Sequence, residues 1–369
     1  MAKENRNQTF VYLYALLIIM VIDDHCSSIM AFGTGVFPYN SFYMPLFVFC
    51  SGYFFHKTTL IKDLVKKVKR LFVPYLIWNL AALIITSVID KVLGVHWMEP
   101  LTPMSLYQIL LIGPTTSINE VSWFVIMLFW VSVFYIMIKH ILPSNKVSDI
   151  ITTVVITSLG VFSIWLCVHY YMEFVYDKLW LFRAMFYLVF YDWGHMFKKY
   201  LEKHLIKLNT LLVCGICILI NLIVITAGFD INYYSTEWMN RFRFVALTFV
   251  TSLTGIVFYY ELMRVISAKL GSVRLIDFIG RNTFTIMETQ MFFINVPSIF
   301  IYIQIINGSK RFGGFPIEEF IQGTWSRYQP ILILNFFCGL TGSLAVAFML
   351  EKIKQVLKSK RTALLRSTN

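Results

Sequence analysis

The sequence predicts an all-α integral membrane protein, a bundle of about ten transmembrane helices with both termini cytoplasmic. Three observations point there. The 369 residues are 58% hydrophobic and only 14% charged, whereas soluble domains carry about 25% charged residues. The apolar residues come in long runs, such as Thr210 to Ala227, broken only by Asn221; about 20 apolar residues cross a hydrocarbon core. The basic residues are distributed unevenly between the segments that separate those runs.

In chain order, the expected spans lie near 9–30, 40–56, 71–93, 121–139, 150–171, 179–197, 208–228, 243–264, 275–304 and 330–351. Lys3 and Arg6 precede the apolar stretch Phe10 to Ile22, which imitates a signal peptide. Asp23, Asp24 and His25 follow it in place of a small-residue cleavage site, so it reads as the first span. The second span is short and contains Pro45, which suggests a partly re-entrant segment. Cys214 and Cys217 form a CxxC in the seventh span, with no His or acidic residue beside them, so neither a disulfide framework nor a metal site is expected. The ninth span is long, with a break expected near Pro297. After the tenth, residues 352–369 read as a basic cytoplasmic tail. No repeat or separate soluble domain is evident, so residues 1–369 form a single membrane-embedded domain.

Positive charge orients the bundle. With the N-terminus inside, Lys91, Lys178, Arg183, Arg241, Arg243, Lys310, Arg311 and Arg327 fall on the outer side and Arg281 within a span, leaving 23 of the 32 Lys and Arg inside. The net charge of +12 thus belongs to membrane-flanking segments, and no nucleic-acid partner is expected. The outer segments 94–120, 229–242 and 305–329 hold Trp97, Tyr107, Tyr233, Tyr234, Trp238, Trp325 and Tyr328. Such aromatics stack on sugar rings or anchor the chain at the interface.

Titratable groups inside spans are costly and so mark candidate sites. His25 lies roughly 22 Å along the first helix from Phe10, toward its outer end. Histidine takes and returns a proton near neutral pH, as acyl transfer to a hydroxyl requires; the trio Asp23-Asp24-His25 also reads as a cap at the water interface. Asp24 points about 100° away from His25 on the helix, so a direct partner for the imidazole has to come from another helix. The loop His56 to Arg70 holds six basic residues, Lys66, Lys67, Lys69 and Arg70 among them. It suits donor phosphates and equally a topogenic or anionic-lipid contact. Arg281 and Glu288, seven apart, share a face of the ninth helix, with Asn282 beside them. In the sixth span Arg183 is near the outer end, and Asp192 and His195 are spaced to satisfy each other. No Walker loop, GxSxG, HExxH or dinucleotide fingerprint is present.

Several ordered segments resemble the integral-membrane acyltransferase 3 family, bacterial enzymes that O-acylate surface glycans and other acceptors. They are VIDDHC with His25, FPYNSFYMPLFVFCSGYFF (Phe37 to Phe55), KKVKRLFVPYLIW (Lys66 to Trp78), VSWFVIMLF (Val121 to Phe129), Arg183 followed by WGHMFKK, and IGRNTFTIM (Ile279 to Met287). The resemblance implies a multi-pass enzyme of the bacterial cell membrane that takes acetyl-CoA from the cytoplasm and acylates a glycan or other hydroxyl acceptor. It implies His25 as general base, Lys66, Lys69 and Arg70 near the donor's phosphates, and Arg183 in an inner cavity. Many members carry an Arg where Tyr14 stands, three turns before the His, and a His near the place of Glu288 and Gln290. That departure makes Glu288 and Arg281 candidate partners of His25 beside Asp24, and Tyr14, Arg281 and Asn282 candidates for the cavity. A lipid-linked sugar flippase or other multi-span transporter shares the many spans and basic inner loops. Oligomeric state leaves no trace in the sequence.

Overall fold

The computed structural model describes residues 7–367 except 32, 34, 99–101, 171–172, 174–177, 230, 232–238, 240–243 and 324–327. Tyr233, Tyr234, Trp238 and Trp325 therefore lie outside the described residues. The described residues are mostly helical, and their one strand-like pairing is an isolated bridge between Met98 and Thr116. The helices are α1 Gln8–His25, α2 Tyr39–Tyr53, α3 Leu60–Lys67, α4 Val73–Leu93, α5 Pro103–Leu111, α6 Trp123–Ile141, α7 Lys146–Tyr170, α8 Leu179–Met196, α9 Glu202–Leu205, α10 Thr210–Thr226, α11 Val245–Leu270, α12 Arg274–Arg281, α13 Thr283–Ile306, α14 Ile317–Ile321 and α15 Leu332–Ser367.

Among the described residues seven stretches are long and apolar enough to cross a membrane, containing α1, α4, α6, α7, α11, α13 and α15. Three further expected spans fall short of that measure. α10 is apolar but has 17 residues, α2 has 15, and α8 carries Arg183, Asp192 and His195. All three still pack in the bundle, α2 against α8 and α10 against α11. The outward faces are apolar. Ile77, Leu80, Ile84 and Val88 on α4 are each more than half exposed, and they recur at helical spacing on one face.

α1 is the central helix. It packs on α2, α11, α12, α13 and α15, and Leu13, Leu17, Ile18 and Ile22 are fully buried. Close helix approach rests on glycines, as membrane bundles require where there is little hydrophobic drive between helices. A methyl group at Gly52 of α2 would overlap the Tyr191 carbonyl of α8, and one at Gly194 of α8 would overlap the Phe49 carbonyl of α2.

Several sequence expectations change. α1 stops at His25 rather than near 30, because Asp23 ties the following turn back: its carboxylate accepts from the Met30 amide (3.0 Å) and the Tyr39 hydroxyl (2.9 Å). α2 runs unbroken through Pro45. Proline frees the carbonyl four residues earlier, here that of Ser41, and the Ser252 hydroxyl of α11 donates to it at 2.6 Å. The ninth span breaks at Asn282, not at Pro297, so Arg281 ends α12 while Glu288 belongs to α13; they do not share a helix face. α15 runs on through the segment expected as a tail, as far as Ser367.

Candidate functional site

Two constellations stand at opposite ends of α1. At the end where α1 begins, α3 widens into a π-helical turn, Val68–Phe72. Pro74 explains the widening: it has no N–H to return to the preceding turn and its ring crowds the carbonyl at i−4. A cavity of about 230 Å³ lies here, and its wall includes Tyr14 of α1, Ser51 of α2 and the cations Lys66, Lys67 and Arg70. Asp63 is on the same wall, but its carboxylate is occupied by the Thr58 amide (2.9 Å) and hydroxyl (2.6 Å). Lys67 reaches the Tyr191 hydroxyl at 3.2 Å and lies 5.4 Å from that ring's centroid.

The structure thus brings Tyr14 together with Lys66 and Arg70. Lys66, Lys69 and Arg70 are all exposed, but Lys69 is off the wall, and Lys67, which the sequence left among the other loop lysines, is on it. A helical wheel does not carry the signal, because 69 lies about 60° from 66 and 67 about 100° from it; the π-helical turn at Val68–Phe72 changes the facing of the residues after Lys67.

At the far end of α1, Asp24 and His25 are half-buried. Asp24 accepts from the Tyr43 hydroxyl at 3.1 Å and the Ser28 hydroxyl at 3.4 Å, so it fastens α1 to α2. Ser27, Ser28 and Ala31 follow with φ of 67°, 52° and 44°. Left-handed backbone at three non-glycine residues is strained, and such strain gathers at functional sites.

The remaining candidates sit at other levels. Helices α1 and α13 run the same way, because Gly280 abuts Val11 while Ile22 and Ile294 both pack against Gly339. Counting 1.5 Å per residue from Ile22 and Ile294 sets Glu288 roughly 13 Å below His25 along the bundle. The buried Glu288 carboxylate meets the Ser122 hydroxyl, which also lies 2.7 Å from Asn119 Oδ1. Glu288 Oε1 and Asn119 Nδ2 have no hydrogen-bond partner among the described residues.

Arg183, 1% exposed, donates to the Ile112 carbonyl at 2.8 Å, and its guanidinium lies 4.7 Å from the Trp123 ring centroid. It therefore holds the C-terminal end of α5, where a cation is favourable. Arg281 pairs with Asp277 at 3.8 Å, and Asn282 donates to Glu351 at 3.0 Å. Both are at the basic end, beside Gly280 and hence beside Val11, more than three helical turns from His25. Asp192 and His195 do not simply satisfy each other: the Tyr135 hydroxyl lies between them, 2.9 Å from Asp192 Oδ1 and 2.6 Å from His195 Nδ1.

A basic cavity and a histidine joined by one buried helix suit group transfer from a phosphorylated donor. The profile of the acyltransferase 3 family, described as an acyltransferase domain, matches residues 12–352. The chain belongs to the acyltransferase 3 family. No curated protein and no solved structure matches it. Membership makes this acyltransferase 3 domain a membrane acyltransferase, and its apolar helices make it a multi-pass one. The match begins within α1, two residues before Tyr14, and ends within α15, so both constellations fall inside the family domain.

Proposed function

We propose that the protein moves an acyl group, acetyl by the family resemblance, from cytoplasmic acyl-CoA to a hydroxyl of an exported or cell-surface glycan. In this reading it crosses the bacterial cytoplasmic membrane ten times, with α2, α8 and α10 completing the seven longer spans and both termini inside.

The observation that carries the reading is the placement of Tyr14 and His25 on α1. Tyr14 lines the basic cavity, and His25 stands eleven residues further, roughly 16 Å along the same helix. Lys66, Lys67 and Arg70 hold the donor's phosphates by charge-assisted hydrogen bonds. The thin pantetheine arm runs beside α1 and presents its thioester near His25. The imidazole takes the proton of the acceptor hydroxyl, whose oxygen attacks the thioester carbonyl. The C–S bond breaks as the new ester forms, and the imidazolium returns the proton to the departing thiolate. Asp24 acts by fixing the end of α1 to α2. Glu288 and Arg183 serve the interior of the bundle, below the imidazole.

Purified protein given radiolabelled acetyl-CoA and a glycan acceptor tests the reading. Transfer of label to the glycan supports it. Absence of transfer and of donor binding, with translocation of a lipid-linked sugar in vesicles, replaces it with the transporter reading.

A further inference from the structure

A second cavity, of about 220 Å³, adjoins the first, and the two share Phe55 and His56 on their walls. Phe55 packs between them, with ring centroids 5.0 Å from Tyr135, 5.1 Å from His195 and 6.3 Å from Tyr191. The second cavity is lined by Lys57, Lys139 and Lys199, with Asp149 as the acid on its wall. Asp149 is bound on one oxygen by Lys139 (2.7 Å) and on the other by Lys199 (2.6 Å) and the Tyr200 hydroxyl (2.7 Å). These bonds keep the Lys199 ammonium above the usual lysine range. Lys57 is held on the wall, donating to the Lys139 carbonyl at 2.6 Å and to the Ser144 hydroxyl at 3.2 Å.

Three lysines against one carboxylate leave two positive charges on this wall. The one carboxylate, already accepting three hydrogen bonds, balances one of the three ammonium charges, so the surplus belongs to the cavity wall. Lys199 comes from a second π-helical turn, Phe197–Leu201, and is 40% exposed along its side chain. Its ammonium is therefore fixed at the end of a partly exposed side chain.

We propose that this second cavity takes a phosphomonoester, the ribose 3′-phosphate at the nucleotide end of the acyl donor, while the first cavity takes the diphosphate. The inference rests on the acyl-CoA reading above. A phosphomonoester carries about 1.5 to 2 negative charges near pH 7, matching the two positive charges. The order of the cavities follows from Tyr14 and Ser51: the first cavity reaches α1 and α2, where the arm must enter, and the second meets it only through Phe55 and His56. A lipid headgroup phosphate has related chemistry and is the competing occupant at a membrane surface.

The test is equilibrium binding of CoA and 3′-dephospho-CoA to the full-length protein in detergent micelles. The wild type is expected to bind CoA about tenfold tighter, a modest ratio because part of the site is exposed to solvent. Lys57→Gln with Lys199→Gln should bring the two ligands within twofold, leaving dephospho-CoA affinity unchanged. Since Lys199 helps to hold Asp149, Lys57→Gln alone is the second variant, and it should cut the preference several-fold. Equal binding of the two ligands by the wild type overturns the proposal and leaves the acyl-CoA reading standing. Unchanged preference in Lys57→Gln overturns it too, as does a water-soluble short-chain phosphatidylglycerol that displaces CoA from the wild type but not from the double variant. Absence of binding by either nucleotide overturns both the proposal and the reading beneath it.

Discussion

Tyr14 of α1 and Arg70 of the Val68–Phe72 turn line one cavity, which ties the basic loop to the helix that ends in His25. Three of the loop's cations, Lys66, Lys67 and Arg70, stand on that wall.

The wall separates lysines that the sequence lists together. Lys66→Gln and Arg70→Gln are each expected to raise the apparent KM for acetyl-CoA about tenfold, since each removes a charge-assisted contact of about 1.5–3 kcal/mol before solvent screening. Lys69→Gln should stay within twofold, because Lys69 is off the cavity wall. Steady-state kinetics with the donor varied will check this; equal effects at 66 and 69 would reject the cavity as the phosphate site.

His25→Gln keeps hydrogen bonding but cannot take a proton at neutral pH. Activity should fall roughly 10²- to 10⁴-fold, with insertion and donor KD unchanged. Near-normal turnover in that variant would leave His25 as an interface cap only. Asp24→Asn should do less, because the Tyr43 hydroxyl can still donate to the amide oxygen.

Glu288 and Asn119 both contact the Ser122 hydroxyl. Ser122 has one proton for two oxygen acceptors, so a donor at 288 completes the set. Glu288→Gln supplies that donor and should fold with a melting temperature near the wild type, whereas Glu288→Ala should cost about 1–3 kcal/mol by leaving buried groups unmatched. Loss of turnover in the well-folded Gln variant would show that the carboxyl group itself takes part in the chemistry; retained turnover would show a packing role.

Gly52 and Gly194 let α2 and α8 touch at the backbone. Gly52→Ala and Gly194→Ala should each destabilise the protein by about 1–3 kcal/mol, since the added methyl meets carbonyl backbone that cannot swing aside. Thermal unfolding in detergent reads the loss directly. A wild-type melting temperature in both would mean that the two helices separate freely.

Orientation is open to direct measurement. A reporter fused after Asn369 should read cytoplasmic, and one inserted near Gly313 should read external. Inverted signals would put the basic cavity on the side opposite the cytoplasmic donor and end the proposed route along α1.

Much of the helix pattern was legible in the sequence, because long apolar runs and their flanking charges are local properties. The site was legible only in part. His25, Lys66 and Arg70 are candidates by residue type and position alone, whereas the place of Lys67 on the cavity wall is not given by a helical wheel, which sets 69 nearer to 66 than 67. Asp23, the residue that ends α1, was hidden because three polar residues in a row look alike without the Tyr39 hydroxyl and the Met30 amide that bind the first of them. The expected Asp192–His195 pair failed for a similar reason: the partner lying between them, Tyr135, belongs to another helix.

The sequence by itself determined that this is a helical membrane protein, where its apolar helices run, and which family its ordered motifs resemble. Those follow from composition, period and spacing along one chain. Only the tertiary structure decided that Tyr14 shares a cavity with Lys67, that Ser252 covers the carbonyl freed by Pro45, and that Glu288 lies below His25 rather than beside it. Rotation and axial shift between helices decide such matters, and these are set where backbones meet, at Gly52 on Tyr191, Gly194 on Phe49 and Gly280 on Val11. A hydrophobic pattern marks which face of a helix is buried; it does not say how far that helix slides against its neighbour before the glycines come into contact.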